Sequence, residues 1–152
     1  MQVMKKLIAL SILTVAALAG NALAQRNVTP AIDRDPIMET DAKHNLEVAN
    51  QYFKLKKAYK SVIGRFEETY AAYPDFSQID EFLYIAGMSS LYLSEGKGKQ
   101  KIDAKTEKDP DKYAPDKLRK DAIRYFVELV LKHPDSKFRP DAEKALESVK
   151  GK

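Results

Sequence analysis

Apolar residues recur three and four positions apart over most of the chain that follows Met38, which is the spacing of helices with one buried face. No segment alternates between apolar and polar residues with a period of two over a useful length, so no strand is predicted. The pattern therefore predicts an all-α fold of about five helices. The periodic apolar positions are Leu46, Ala49 and Phe53; Ala58, Val62, Ile63, Phe66 and Tyr70; Phe82, Leu83, Ile85, Ala86, Met88, Leu91 and Leu93; Leu118, Ala122, Ile123, Phe126, Leu129 and Val130; and Ala142, Ala145 and Leu146.

Prolines, glycines and one lysine-rich run separate the predicted helices. The run Lys54-Leu55-Lys56-Lys57 indicates a turn after the first helix. Pro74 and Pro134 end the second and fourth helices, since proline lacks the backbone donor that a helix interior needs. Gly96 and Gly98 end the third helix, as glycine commonly does at a helix C-terminus.

The segment 96–117 differs from the rest of the chain because it is rich in charge and has few apolar residues. We predict that it forms a long loop or a partly ordered insertion. A fourth helix is expected over about 117–132 and a last one over about 140–149.

An internal repeat is the strongest indication of architecture. The segment Val62-Ile63-Gly64-Arg65-Phe66 is followed eight residues later by Pro74, and Ala122-Ile123-Arg124-Tyr125-Phe126 is followed eight residues later by Pro134. Small residues let paired helices cross closely, and the bulky residue fills the gap between successive units. This pattern resembles the tetratricopeptide repeat, and the resemblance implies a right-handed stack of helical hairpins.

A closer resemblance covers about residues 38–149. The segments His44–Ala49, Gln51–Phe53, Ala58–Pro74 and Asp109–Ser136 resemble repeats of BamD-type outer-membrane assembly lipoproteins. The family pattern implies repeat one over 38–75, repeat two over 77–135 with the inserted loop 96–117, and a partial repeat three over 138–150. It also implies a scaffold that binds polypeptides in outer-membrane protein assembly. A docking or regulatory subunit of another cell-envelope complex, for division or transport, is the alternative.

The first residues predict export. Lys5 and Lys6 precede an apolar run over 7–19, and Ala22-Leu23-Ala24 follows, which are the parts of a secretory signal peptide. We therefore expect a signal peptide over 1–24, cleavage after Ala24, and a flexible leader over 25–37. An uncleaved anchor is the alternative, but the run is shorter than the roughly 20 apolar residues of a membrane span. The expected location is the periplasm, peripheral to the outer membrane, and the lack of cysteine argues against a covalent lipid anchor.

The charge balance argues against a nucleic-acid partner. The formal charge is +4, and removal of the two lysines of the signal segment lowers it to +2. The remaining charges are interspersed rather than gathered into a basic stripe.

No residue pattern predicts catalysis, a metal or a cofactor. His44 and His133 are far apart and have no cysteine beside them, so zinc-ligand spacing is absent. Acidic residues of the segment 96–117 alternate with lysines and lack the spacing of a calcium loop. The run Gly96–Lys99 lacks the spacing of a phosphate-binding loop. The chain is therefore predicted not to be an enzyme.

The candidate site is a partner-binding surface on the inner face of the stack. The family register places there eight residues from the first helix of each repeat: His44, Glu47, Gln51, Lys54, Glu81, Tyr84, Met88 and Leu91. The second half of this set is unusually apolar for a surface, as in adaptable peptide grooves. The alternative is that these apolar residues pack on the inserted loop or on the last helix. The predicted partners are proteins or peptides, with self-association through the C-terminal helix as a further expectation.

Overall fold

The computed structural model describes residues 34–100, 102–103, 105 and 107–150. These residues contain no strand, and their five α-helices are α1 (Pro36–Gln51), α2 (Tyr59–Ala72), α3 (Ile79–Ser94), α4 (Pro115–Lys132) and α5 (Arg139–Lys150). The prediction of an all-α, tetratricopeptide-like stack of about five helices is confirmed for this part of the chain. The predicted signal peptide 1–24 and the leader up to residue 33 lie outside the described residues.

The first helix begins at a capped proline. The Asp35 carboxylate accepts hydrogen bonds from the backbone N–H groups of Ile37 (2.8 Å) and Met38 (3.2 Å). Pro36 occupies the first turn, where its missing N–H leaves no bond unmade. The helix therefore starts slightly before residue 38, where the sequence pattern placed the start of the domain.

The lysine-rich run after α1 is mostly helical, and the turn that the sequence predicted there begins only at its last residue, Lys57. A π-helical turn, Tyr52–Lys56, continues α1, and the backbone N–H of Ala58 donates to the carbonyl of Tyr52 at 3.0 Å. Lys57 then adopts a left-handed conformation with φ 49°, which is uncommon for a residue with a side chain. The chain stays helical through Lys56 because the π-turn carries the hydrogen bonding on, and the reversal occurs at Lys57.

Helices α3 and α4 cross closely at Gly87. A Cβ atom built on Gly87 would lie 2.5 Å from Cε1 of Phe126, so only glycine fits at this crossing. Phe66 of α2 packs edge-on against Phe82 (ring centroids 5.5 Å apart) and Tyr125 (4.7 Å). The predicted roles of small residues at helix crossings and of a bulky residue between units are both seen here.

The turns after α2 and α4 repeat the same backbone hydrogen bonds. The N–H of Tyr73 donates to the carbonyl of Thr69 at 2.8 Å, and the N–H of His133 donates to that of Leu129 at 2.9 Å. The next bonds also correspond, from Phe76 to Tyr73 and from Ser136 to His133. The two Pro-Asp turns therefore bring α3 and α5 back against the stack in equivalent ways.

The described part of the insertion packs on α2. The amide of Gln100 donates to the hydroxyl of Ser61 at 2.9 Å, and Lys60 pairs with Glu107. Tyr113, in the 3-10 turn Pro110–Tyr113, packs against a small apolar cluster that includes Ile63. Proline then starts α4 at residue 115, slightly before the predicted start at 117.

Candidate partner-binding surface

The α1 half of the predicted surface is a single exposed stripe. His44, Glu47 and Gln51 lie on α1, and Lys54 follows in the π-turn. All four residues are exposed, whereas Ala42, Leu46 and Ala49 on the same helix are buried. The spacing of three and four residues keeps the stripe on one side of the helix, away from the core.

The α3 half is mostly covered. Glu81, Tyr84 and Met88 are partly exposed. Leu91 is 8 % exposed and belongs to the main core. It offers almost no surface to a partner, because the apolar face of α3 is wider than the register suggested and Leu91 falls within it.

A hydrogen bond joins the two halves. The side-chain amide of Asn50 on α1 donates to Oε1 of Glu81 on α3 at 2.8 Å. The Oδ1 atom of Asn50 is buried and accepts no hydrogen bond within the described residues. The sequence analysis missed Asn50 as a surface residue, although a polar side chain beside the apolar positions Leu46 and Ala49 is the kind of signal that marks such a contact.

Tyr84 packs on the segment that leads into α5. Its ring stacks on Phe138 with centroids 5.2 Å apart and planes 20° apart, and lies 6.4 Å from that of Phe126. Burial, followed by the charge of Asp141, raises the pKa of Tyr84. Tyr84 is therefore partly covered by Phe138, the residue that precedes α5, and keeps some exposed surface.

A second apolar surface lies on α4. Leu131 is 74 % exposed, and Ile123, Val127 and Val130 are partly buried. Their spacing of four, seven and eight residues from Ile123 forms a continuous stripe along the helix. An exposed apolar face of this kind is the surface that the alternative, a docking subunit, would need.

The described residues show no group of three or more acidic or histidine side chains arranged to hold a metal ion. In the same part of the chain, no helix combines the length and the apolar character of a membrane span.

Comparison with protein families gives a match. A model described as YfiO, outer membrane lipoprotein, matches residues 70–152, which is more than half of the chain. The chain belongs to the YfiO family. Searches of the curated proteins and of the solved structures gave no match.

The YfiO match runs from the end of α2 to the end of the chain, so it includes Glu81, Tyr84 and Met88 but not the α1 stripe. The BamD-like resemblance is confirmed at the level of this family.

Proposed function

We propose that this YfiO-family protein is a non-catalytic periplasmic scaffold that binds polypeptides during outer-membrane protein assembly. The observation that carries the proposal is the side-by-side placement of the α1 stripe and the partly exposed Glu81, Tyr84 and Met88, which the bond from Asn50 to Glu81 joins. The family match supports the outer-membrane setting.

The chemistry of this surface suits a polypeptide. Tyr84 is anchored by Phe138 and presents its remaining ring edge with little loss of conformational freedom on binding. Met88 adds an adaptable apolar contact, and the neighbouring polar stripe offers donors and acceptors to a backbone. A bound segment would lie across α1 and α3 and touch both kinds of group.

Site-specific photo-crosslinking in cells tests the proposal. A photoreactive residue at Gln51, which is exposed on α1, is compared with one at Glu68, which is exposed on α2 and is not part of the predicted surface. We expect adducts with outer-membrane barrel proteins or their assembly machinery from Gln51 and none from Glu68. Equal labelling from both positions, or adducts only with unrelated proteins at Gln51, would contradict the proposal.

The α4 stripe supports the second candidate, a subunit that docks on a folded envelope complex. The same crosslinker at Leu131, which is 74 % exposed, distinguishes the two. Adducts from Leu131 with a folded complex, together with silence at Gln51, would replace the scaffold by the docking subunit. In that case the Leu131→Gln variant should no longer bind the folded complex. An unfolded segment of a barrel protein should bind neither the variant nor the original protein.

A further inference from the structure

Two lysine-bearing turns meet at one corner of the protein. The backbone N–H of Lys99, after α3, donates to the carbonyl of Lys57, after α1, at 3.0 Å. Gly98 adopts φ 111°, and a Cβ atom there would lie 2.8 Å from the ring of Tyr59. The left-handed backbone of Gly98 and this close approach both require glycine. The two turns are therefore held together by close packing as well as by the hydrogen bond.

The meeting of the turns concentrates positive charge. We call the group Lys54, Lys56, Lys57, Lys97 and Lys99 the lysine corner, and all five are exposed. Within the described residues only Lys97 of this group has an ion-pair partner, Glu95 at 2.7 Å. Lysines elsewhere, such as Lys60 and Lys132, are paired with carboxylates. The corner therefore keeps most of its charge available to an anionic partner.

An exposed leucine projects from the same corner. Leu55 is 73 % exposed and lies between Lys54 and Lys56 in the π-turn. At the same corner the rings of Phe53, Tyr59 and Tyr92 contact one another at centroid distances of 5.1–6.2 Å. These rings and the adjacent lysines line an open cavity of about 540 Å³. An exposed leucine, a cluster of aromatic rings and several lysines together have the composition of a segment that enters the headgroup region of a membrane.

Comparison with Leu131 indicates which occupant the corner fits. Leu131 is exposed to the same degree, 74 %, but it continues an apolar stripe and its neighbour Lys132 is neutralised by Glu128 at 2.7 Å. Leu55 is instead isolated among lysines that lack carboxylate partners in the described structure. An extended apolar stripe suits a protein surface, whereas a single apolar residue within a basic cluster suits an anionic lipid surface.

We infer that the lysine corner docks this protein on the surface of an anionic phospholipid bilayer, with the lysines at the phosphate groups and Leu55 in the interface. Each lysine near such a surface contributes about 1 kcal/mol, or about fivefold in binding. The contact is reversible and weakens as salt increases, because the screening length falls with ionic strength. This inference does not rest on the proposed polypeptide binding.

Vesicle co-sedimentation tests the inference on the chain from Gln25 onward, which contains the whole compact unit that starts at Arg34. The vesicles are phosphatidylcholine alone or phosphatidylcholine with phosphatidylglycerol. The test variant carries Lys56→Gln, Lys57→Gln and Lys99→Gln, and leaves Lys54 unchanged because that residue also belongs to the α1 stripe. The matched control removes three exposed lysines without ion-pair partners in the described structure, Lys43, Lys120 and Lys144.

We expect binding to the anionic vesicles only, and a loss of roughly a hundredfold in the test variant against a much smaller loss in the control. Leu55→Gln should weaken binding by about tenfold, and Leu131→Gln should not. Circular dichroism checks that each variant is folded.

Equal binding to neutral vesicles, equal losses in the two triple variants, or no binding to anionic vesicles would overturn the inference. The last result, combined with crosslinking of the corner to an acidic protein, would assign the lysines to a protein partner instead.

Discussion

The helix pairs α1–α2 and α3–α4 end in equivalent turns and have different surroundings. Phe66 and Phe126, sixty residues apart, are both at most 2 % exposed. At two other corresponding positions the chemistry differs, because Asn45 in α1 stands where α3 has Phe82, and Thr69 in α2 stands where α4 has Leu129. The same repeat therefore carries polar residues in one pair and apolar residues in the other.

This difference in polarity follows from whether another helix packs on the pair. α2 packs on the α3–α4 pair, with Phe66 against Phe82 and the hydroxyl of Tyr70 donating to Glu128 at 2.6 Å. On the corresponding side of α1–α2 the described residues place no helix, and an open cavity of about 230 Å³ lies there between Met38, Asn45 and Thr69. Repeat stacks commonly end in a polar outer face. The comparison shows that the same repeat pattern can form a buried pair or the outer edge of the stack. Which of the two it forms depends on whether another helix packs on it.

The largest expected effect comes from truncating corresponding residues of the two pairs. Phe82→Ala should lower the free energy of unfolding by about 3–5 kcal/mol, because Phe82 is fully buried and its removal leaves a cavity. Asn45→Ala should change it by less than about 0.5 kcal/mol, because Asn45 lies at the open edge. Urea denaturation measures both. Similar losses in the two variants would mean that the outer edge is covered in solution and that the two pairs do not differ as described.

The next largest contrast is between Gly64 and Gly87, which lie within helices. Gly87→Ala should destabilise the protein by about 1–3 kcal/mol, because the new methyl group would overlap the Phe126 ring. A methyl group added at Gly64 on α2 would meet no other part of the protein within 4 Å, so Gly64→Ala should stabilise the protein by up to about 1 kcal/mol through helix propensity. Thermal unfolding compares the two variants. A neutral Gly87→Ala would show that α3 and α4 separate easily and that their crossing is not a fixed contact.

Local signals in the sequence predicted the helices and their order. Pro74 and Pro134 end helices whatever lies around them, and the spacing of Phe66 and Phe126 reflects a face that must be buried. The π-turn at Tyr52–Lys56 was missed, and it is followed by a residue, Lys57, whose carbonyl accepts a hydrogen bond from the later turn at Lys99. Such a contact joins residues that the sequence keeps far apart.

The candidate site was less predictable than the fold. Family register placed Tyr84 and Leu91 on one surface, but the stacking of Tyr84 on Phe138 and the burial of Leu91 depend on how α5 and the core pack. The sequence interpretation treated Lys54–Lys57 and Gly96–Lys99 as separate helix ends. Only the fold shows that these ends touch, so the lysine corner has no counterpart in the linear pattern.

The smallest expected effect concerns pH and again compares corresponding residues. Burial alone would raise the pKa of Glu128, but hydrogen bonds from Lys132 and Tyr70 and the nearby positive charges hold it below its ordinary value. A carboxyl whose pKa is lowered by folding contributes stability above its unfolded pKa, near 4.5, and this contribution is lost as the pH falls through the folded pKa. Glu128→Gln should therefore reduce the loss of stability on acidification. Glu68→Gln, at the corresponding position on α2, should leave the pH profile unchanged, because the Glu68 side chain is 69 % exposed and its ion pair with Arg65 is on the surface.

Urea midpoints measured across the acidic range give both profiles. If the two substitutions flatten the profile equally, the contact of Tyr70 with Glu128 does not distinguish the covered pair from the open one.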